Sequence, residues 1–282
     1  MGQYEMEHQF DVSLAKICCK LCSYGYDRMV GQREDKSLTS SLGVTRESLY
    51  HTGTLAAMLC DRADHRVLVL PGTESQWEFV RTPGKTLESL KDWAKNVQFR
   101  LTSGTTLRVP GRVHEGFCSE VLHLMPSIEM LIQEHSDLDG KELPLVITGH
   151  SQGGAEAAIA AGTLCDHRAI EQVITFAAPR PGDHVFSAWM ANQDFPIWRC
   201  EYGYDIVPHM PRSLVTVPSY DFDGVGMLVY GEPNNATSIV QIGRGAMAVR
   251  RASRLAANTE YWVEHHHLTH YLEMLEAFPC DA

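Results

Sequence analysis

The sequence predicts an α/β protein with a mostly parallel central sheet and helices on both faces. Short apolar runs alternate with segments whose apolar residues recur at helical spacing, a pattern typical of a sheet covered by helices. Midway along the chain, one apolar run leads through a glycine-flanked serine into an alanine-rich segment. The length of 282 residues and the hydrophobic content of 44% fit a single globular domain over residues 1–282.

The first third of the chain predicts a helix and a pair of strands. Apolar residues recur at helical spacing from Phe10 to Leu21, which indicates a helix. Residues 55–60 and 67–70 are apolar runs joined by the polar turn 61–64, so we expect two paired strands there.

The central third predicts an excursion, a helix and a further strand. Residues 74–91 are mostly polar and contain a Pro-Gly step, which indicates a segment on the surface. Helical spacing resumes over residues 117–131. An apolar strand over residues 145–148 then precedes the serine and the alanine-rich helix.

The last third continues the alternation of strands and helices. We expect strands over residues 173–176 and 197–200 with a helix over residues 185–190 between them. After Pro218 the pattern loosens into turn clusters. The chain closes with an amphipathic helix over residues 268–278.

Composition and charge exclude several classes of function. The net charge of −11 leaves no basic stripe for phosphates, so nucleic acid is not an expected partner. No uncharged apolar run is long enough to predict a transmembrane helix, so at most a transient contact with a lipid interface is expected. The N-terminus lacks the pattern of a secretory signal, and we expect a cytoplasmic protein, with export without a signal as the alternative.

The cysteines and histidines predict neither a disulfide framework nor a metal site. Most of the 8 cysteines fall in predicted helices or strands, as small core residues do, and no C-x-x-C pair recurs at the spacing of a zinc site. His265, His266 and His267 are consecutive, but neighbours in sequence cannot all converge on one ion. We therefore expect no metal and no cofactor.

Ser151 is the candidate nucleophile. It lies in the G-x-S-x-G pattern of residues 149–153, which follows a predicted strand and begins a predicted helix, as a nucleophile elbow requires. A serine between glycines is elsewhere often only a flexible turn. The strand before Ser151 and the small-residue helix after it favour the nucleophile.

A serine hydroxyl needs a base and a group that orients the base. After such an elbow the acidic partner and then the histidine follow along the chain. Asp205 lies in the loop that leaves the strand 197–200 and suits the acidic role, with a turn-forming aspartate as the alternative. The base is expected from the histidine cluster before the last helix.

Four motifs in order resemble those of the class 3 lipase family, the group that contains the fungal triacylglycerol lipases. They are Val113-His114-Glu115-Gly116-Phe117, Gly149-His150-Ser151-Gln152-Gly153-Gly154-Ala155, Thr175-Phe176-Ala177-Ala178-Pro179-Arg180-Pro181-Gly182-Asp183 and Asp205-Ile206-Val207-Pro208-His209-Met210-Pro211. The resemblance implies an α/β-hydrolase fold and hydrolysis of acyl esters, with Ser151 as nucleophile and Asp205 as the acidic member of the triad.

The resemblance also implies the catalytic histidine and the oxyanion hole. His266 has the spacing to later residues that bacterial and plant members show, whereas the shorter fungal spacing selects His267; we prefer His266. The oxyanion hole is expected to combine the backbone N–H of Gln152 with Thr73, in the turn after the strand 67–70.

The chain departs from the family pattern at three places. Pro71 stands where the family usually has arginine. Glu156 replaces the usual apolar residue on the helix after the serine, and no role is assigned to it. Residues 74–91 lie where fungal relatives carry a lid, and a plain surface loop is the alternative interpretation.

The resemblance implies a serine hydrolase that cleaves carboxylic esters of lipids through a Ser-His-Asp triad and an acyl-enzyme, as a triacylglycerol lipase or a related carboxylesterase does. Alternatives within the family are a phospholipase A1, a mono- or diacylglycerol lipase, or an esterase for short or aromatic acyl groups. The alternative of another class is a non-catalytic, lipase-like binding scaffold. The sequence leaves the oligomeric state and the acyl preference open.

Overall fold

The computed structural model describes residues 9–53, 55–72, 100–211, 223–232, 238–240, 261–262 and 264–278. The helices of this part of the chain are α1 (Val12–Met29), α2 (Lys36–Ser41), α3 (Glu115–Asp139), α4 (Gln152–Leu164), α5 (His184–Met190) and α6 (Leu268–Glu276). Its strands are β1 (Arg46–Thr52), β2 (Leu55–Asp61), β3 (Arg66–Leu70), β4 (Leu101–Ser103), β5 (Arg112–His114), β6 (Leu145–His150), β7 (Ile170–Phe176), β8 (Ile197–Tyr202), β9 (Met227–Gly231) and β10 (Ser238–Val240).

Within the described residues, eight strands form one sheet in the order β1-β2-β3-β6-β7-β8-β9-β10. The central strands β3, β6, β7, β8 and β9 are parallel to one another. The edges are antiparallel, because β1 pairs with β2, β2 with β3, and β9 with β10 in that sense. The prediction of a mostly parallel central sheet is therefore confirmed.

Helices cover both faces of the sheet. Val67 and Val69 of β3 belong to the apolar core that contains residues of α1 and α6. Leu68 and Leu70 of the same strand belong to the core that contains residues of α3, α4 and α5. Successive side chains of a strand point to opposite faces, so the apolar run of β3 serves both cores.

The predicted hairpin-like pair is present as β2 and β3, and the predicted N-terminal and C-terminal helices are α1 and α6. The prediction omits α2, β1, β4, β5, β9 and β10. Strand β1 is mostly half-buried, so its apolar pattern is weak. Residues 74–91, for which we predicted a surface excursion or a lid, lie outside the described residues.

The described cysteines are free, and most are buried in the two cores, as the sequence predicts. None of the described helices combines the length and the apolar character that crossing a bilayer requires.

Candidate active site

Ser151 occupies a sharp corner between β6 and α4. Its backbone lies in the left-handed half of conformational space, with φ 56° and ψ −131°. A non-glycine residue adopts such angles only where the surroundings hold it there. Part of that hold is a hydrogen bond from the Ser151 backbone N–H to the carbonyl of Phe176 in β7, at 2.9 Å.

Gly149 and Gly153 are required on either side of Ser151, because backbone atoms of neighbouring segments lie close to both positions. A Cβ at Gly153 would lie 1.9 Å from the carbonyl oxygen of Leu70 in β3. A Cβ at Gly149 would lie 2.2 Å from the carbonyl oxygen of Gly153. Any side chain at either position would therefore push α4 away from β3 and β6, and the G-x-S-x-G spacing follows from this packing.

The three residues that the sequence nominated for a triad lie together. Nε2 of His266 is 2.9 Å from Oγ of Ser151, and Nδ1 of the same ring is 2.9 Å from Oδ2 of Asp205. Their exposed fractions are 1% for Ser151, 2% for Asp205 and 4% for His266, so the hydrogen bonds are screened little by solvent. Of the two histidines that the sequence left in competition, His266 is the one that bridges serine and aspartate.

Asp205 is held by two groups besides the histidine. The backbone N–H of Val207 donates to its Oδ1 at 2.9 Å, and the phenol of Tyr271 donates to its Oδ2 at 2.6 Å. Burial and the adjacent Asp205 raise the pKa of Tyr271, so this phenol stays protonated and acts as a donor. The sequence analysis did not predict this contact.

A second buried network fixes the backbone of His266. Nε2 of His150 lies 2.9 Å from the carbonyl oxygen of His266, and Nδ1 lies 3.0 Å from the phenol of Tyr26 on α1. Burial lowers the pKa of His150, so its ring is neutral; Nε2–H must donate to the carbonyl, and Nδ1 accepts the phenol proton. The phenol oxygen in turn accepts the backbone N–H of Gly72 at 3.0 Å. The network thus joins α1, the turn after β3 and the candidate base.

The remaining histidines of the C-terminal cluster have separate surroundings. Nδ1 of His265 accepts the backbone N–H of Tyr204 at 2.8 Å, and its ring stacks on that of Tyr261. Nδ1 of His270 lies 3.2 Å from Glu273. No group of three or more potential metal ligands occurs among the described residues.

Only one of the two candidate oxyanion donors, Gln152, lies among the described residues. Gln152 is the first residue of α4, and its backbone N–H belongs to the first turn, which has no partner within the helix. It directly follows Ser151, as an oxyanion donor after the nucleophile does. Thr73 lies outside the described residues, so its role in the oxyanion hole stays a prediction.

Comparisons with known proteins point to one family. The family model described as Lipase (class 3) matches residues 84–214. A secreted mono- and diacylglycerol lipase of Fusarium solani is 27% identical over 140 residues, which cover 48% of this chain and 41% of that protein. The chloroplastic phospholipase A1-Igamma2 of Arabidopsis thaliana is 29% identical over 97 residues, which cover 31% of this chain and 18% of that protein. This chain therefore spans less than half of the length of either relative.

A solved structure extends the likeness over most of the chain. The triacylglyceride lipase of Rhizomucor miehei superimposes with a TM-score of 0.66 over 91% of this chain and 96% of that one, at 16% identity. At that identity the likeness concerns the fold alone, and it confirms the α/β-hydrolase fold.

Proposed function

We propose that this chain is a serine hydrolase of the class 3 lipase family and cleaves carboxylic esters of lipids, because residues 84–214 match the model of that family. One observation carries the proposal: the imidazole of His266 contacts Ser151 through Nε2 and Asp205 through Nδ1, each at 2.9 Å. In this arrangement the ring takes the serine proton while the carboxylate fixes its tautomer and stabilises its charged form.

The proposed reaction is a two-step acyl transfer. Oγ of Ser151 attacks the ester carbonyl while its proton passes to Nε2 of His266. The ester bond then breaks, the departing alcohol takes that proton, and an acyl-enzyme remains. Water attacks the acyl-enzyme, again with His266 as base, and releases the acid and the free serine. The N–H of Gln152, with Thr73 as the second predicted donor, binds the oxyanion, and each donor contributes about 3 kcal/mol to transition-state stabilisation.

The proposed substrates are acylglycerols, with phospholipids as the second candidate. This proposal is supported by the names of two relatives, a mono- and diacylglycerol lipase and a phospholipase A1. The same chemistry would serve short soluble esters. Catalysis is favoured over a non-catalytic scaffold because the hydrogen-bonded serine, histidine and aspartate are all retained in a buried arrangement.

Replacement of Ser151 by alanine tests the proposal. We expect Ser151→Ala to fold normally and to lose p-nitrophenyl ester hydrolysis by about 10⁴-fold or more. A fluorophosphonate probe should label the wild-type protein and leave this variant unlabelled. Ser40→Ala, at an exposed serine on α2, is the matched control and should behave like the wild type.

Substrate class is tested on emulsified triacylglycerol, emulsified diacylglycerol, phosphatidylcholine vesicles and soluble p-nitrophenyl esters of increasing chain length. A preference for emulsified acylglycerols supports a lipase, and a preference for phosphatidylcholine supports the phospholipase alternative. A folded wild-type protein that neither reacts with the probe nor hydrolyses any ester would contradict the proposal and favour the scaffold.

A further inference from the structure

A cluster of two carboxyl groups and one amide lies beside the candidate nucleophile. Glu156 follows Gln152 by one turn of α4, and Nε2 of Gln152 donates to Oε1 of Glu156 at 2.8 Å. The same nitrogen donates to Oε2 of Glu120, which projects from α3. Glu156 is 2% exposed and Gln152 is 6% exposed, so their contact lies in the protein interior, whereas Glu120 is half-buried at its border. Both hydrogens of the amide nitrogen are therefore committed to carboxyl groups on two different helices.

The charges of this cluster require a bound proton. The titratable groups that interact with Glu156 among the described residues are Glu120 and the phenol of Tyr26 on α1, and neither supplies a positive charge. A buried carboxylate without a cation is unfavourable, and a second carboxylate beside it is more so. Burial, and then the hydrogen bond and charge of Glu120, raise the pKa of Glu156. One proton between the two carboxyl groups leaves a single charge, which the Gln152 amide helps to satisfy.

We propose that Glu120 and Glu156 are positioning residues: by sharing one proton they hold the side-chain amide of Gln152 and so keep its backbone N–H directed at the oxyanion. This inference rests on the proposed function. Gln152 is the first residue of α4, so an anchor on its side chain limits rotation of the peptide that carries the oxyanion donor. An apolar residue, which the family pattern has in place of Glu156, cannot accept a hydrogen from this amide.

The shared proton makes the cluster sensitive to a rise in pH. As the pH rises through the raised pKa of Glu156, the pair acquires a second negative charge, the two carboxylates repel, and Gln152 loses its anchor. The unfolded chain loses the same proton at the ordinary glutamate pKa of about 4.3. Above that value the folded state binds more protons than the unfolded state, so the free energy of unfolding falls as the pH rises.

The decisive comparison is between two substitutions at Glu156. Glu156→Gln keeps the shape and the acceptor for Gln152, donates to Glu120 and cannot ionise. Glu156→Leu fills a similar volume and removes the acceptor. On a soluble p-nitrophenyl ester we expect Glu156→Leu to lower kcat by about tenfold or more, with KM within about twofold, because a displaced oxyanion donor weakens the transition state and leaves the acyl groove alone. We expect Glu156→Gln to restore kcat to within about threefold of wild type and to remove the fall in kcat that ionisation of Glu156 causes as the pH rises.

Two measurements make the test specific. Rates are divided by the sites that a fluorophosphonate labels, and Glu134→Gln, an exposed carboxylate on the same α3, is the control and should match the wild type. Urea unfolding against pH should show a stability loss in the wild type as the pH rises above about 4.3, and this contribution should be missing in Glu156→Gln. The inference is overturned if Glu156→Leu keeps the wild-type kcat, or if Glu156→Gln keeps the wild-type pH dependence of stability. An unreactive, folded wild-type protein would instead overturn the proposed function.

Discussion

Polar side chains at the candidate site are oriented by hydrogen-bond partners that can act only as a donor or only as an acceptor. A backbone carbonyl can only accept, so the carbonyl of His266 forces Nε2 of His150 to donate, and the other ring nitrogen is left as the acceptor for Tyr26. The phenol of Tyr271 can donate to Asp205 because its raised pKa keeps it protonated. Single-atom changes at these positions should therefore alter activity more than folding.

The variant Tyr271→Phe, which removes only the phenol oxygen, tests whether a single-atom change alters activity more than folding. Oδ2 of Asp205 accepts both from the phenol of Tyr271 and from Nδ1 of His266, so loss of the phenol leaves the carboxylate with one donor fewer. A hydrogen bond to a charged group is worth about 1.5–3 kcal/mol, and we expect kcat to fall by about tenfold with KM unchanged. Steady-state kinetics on a soluble ester measures both. Tyr24→Phe, on the same helix as Tyr26, is the control, and an equal loss there would indicate a general effect on folding.

Elements converge on the site because parallel strands end at one edge of the sheet. Ser151 follows β6, Asp205 lies in the loop after β8, and His266 lies two residues before the start of α6. The strand-turn-helix context and the loop after a strand are local patterns, so the sequence alone nominates Ser151 and Asp205. The choice of His266 relied on the resemblance to the class 3 lipase family, because the register of a loop is not fixed by local spacing.

The partners of the site residues could not be predicted from the sequence. Tyr26 contacts His150 across 124 positions, and Glu120 contacts Gln152 across 32. Such pairs depend on how α1 and α3 pack against the rest of the protein, and hydrophobic periodicity carries no information about that packing. Glu156 did stand out as a polar residue in an apolar pattern, but only its burial beside Glu120 suggests a role.

The start of α3 should make stability sensitive to acid. His114 is the N-cap, and its Nδ1 accepts the backbone N–H of Phe117 at 3.3 Å. Burial lowers the pKa of His114 from 6.5 to about 4. Between these values the unfolded chain binds the proton and the folded chain does not, so the free energy of unfolding falls as the pH falls.

His114→Asn removes this titration and keeps an N-cap acceptor. When the pH is lowered from about 7 to about 5, we expect the free energy of unfolding to fall by about 2 kcal/mol less in the variant than in the wild type. Urea unfolding at the two pH values gives the difference. His123→Asn, at an exposed position on the same helix, is the control. Equal pH dependence in His114→Asn and the wild type would contradict the prediction.

On the scale of the whole molecule, the candidate site and the charge cluster that joins the strands to α3 lie at opposite ends of the sheet. The carboxyl ends of β6 and β8 carry the candidate site, whereas the opposite end carries a cluster of charges around the buried Arg66. There Arg66, with no exposed surface, binds Asp61 at 3.0 Å, Asp139 at 3.2 Å and Ser136 at 3.1 Å. Arg46 contacts both aspartates at 2.9 Å. This cluster joins β1, β2 and β3 to α3, and the sequence analysis did not predict it because its members are far apart in the chain.

The separation predicts that stability and activity can be changed independently. Arg66→Met removes a buried cation and leaves Asp61 and Asp139 with less compensation, which should cost about 3–5 kcal/mol of the free energy of unfolding. Arg66 lies at the start of β3 and Leu70, which contacts the elbow, at its end, about 13 Å further along the strand. We therefore expect kcat per fluorophosphonate-labelled site to match the wild type in the folded fraction of the variant.

Urea unfolding and labelled-site kinetics, performed on the same preparation, test both halves of this prediction. Glu142→Gln is the control, because this carboxylate pairs with Arg168 at the surface with 75% of its side chain exposed, and the loss should stay within about 1 kcal/mol. If kcat per labelled site fell in Arg66→Met, the charge cluster would have to act on the elbow through β3. If stability were unchanged, the buried cluster would not be what holds this end of the sheet to α3.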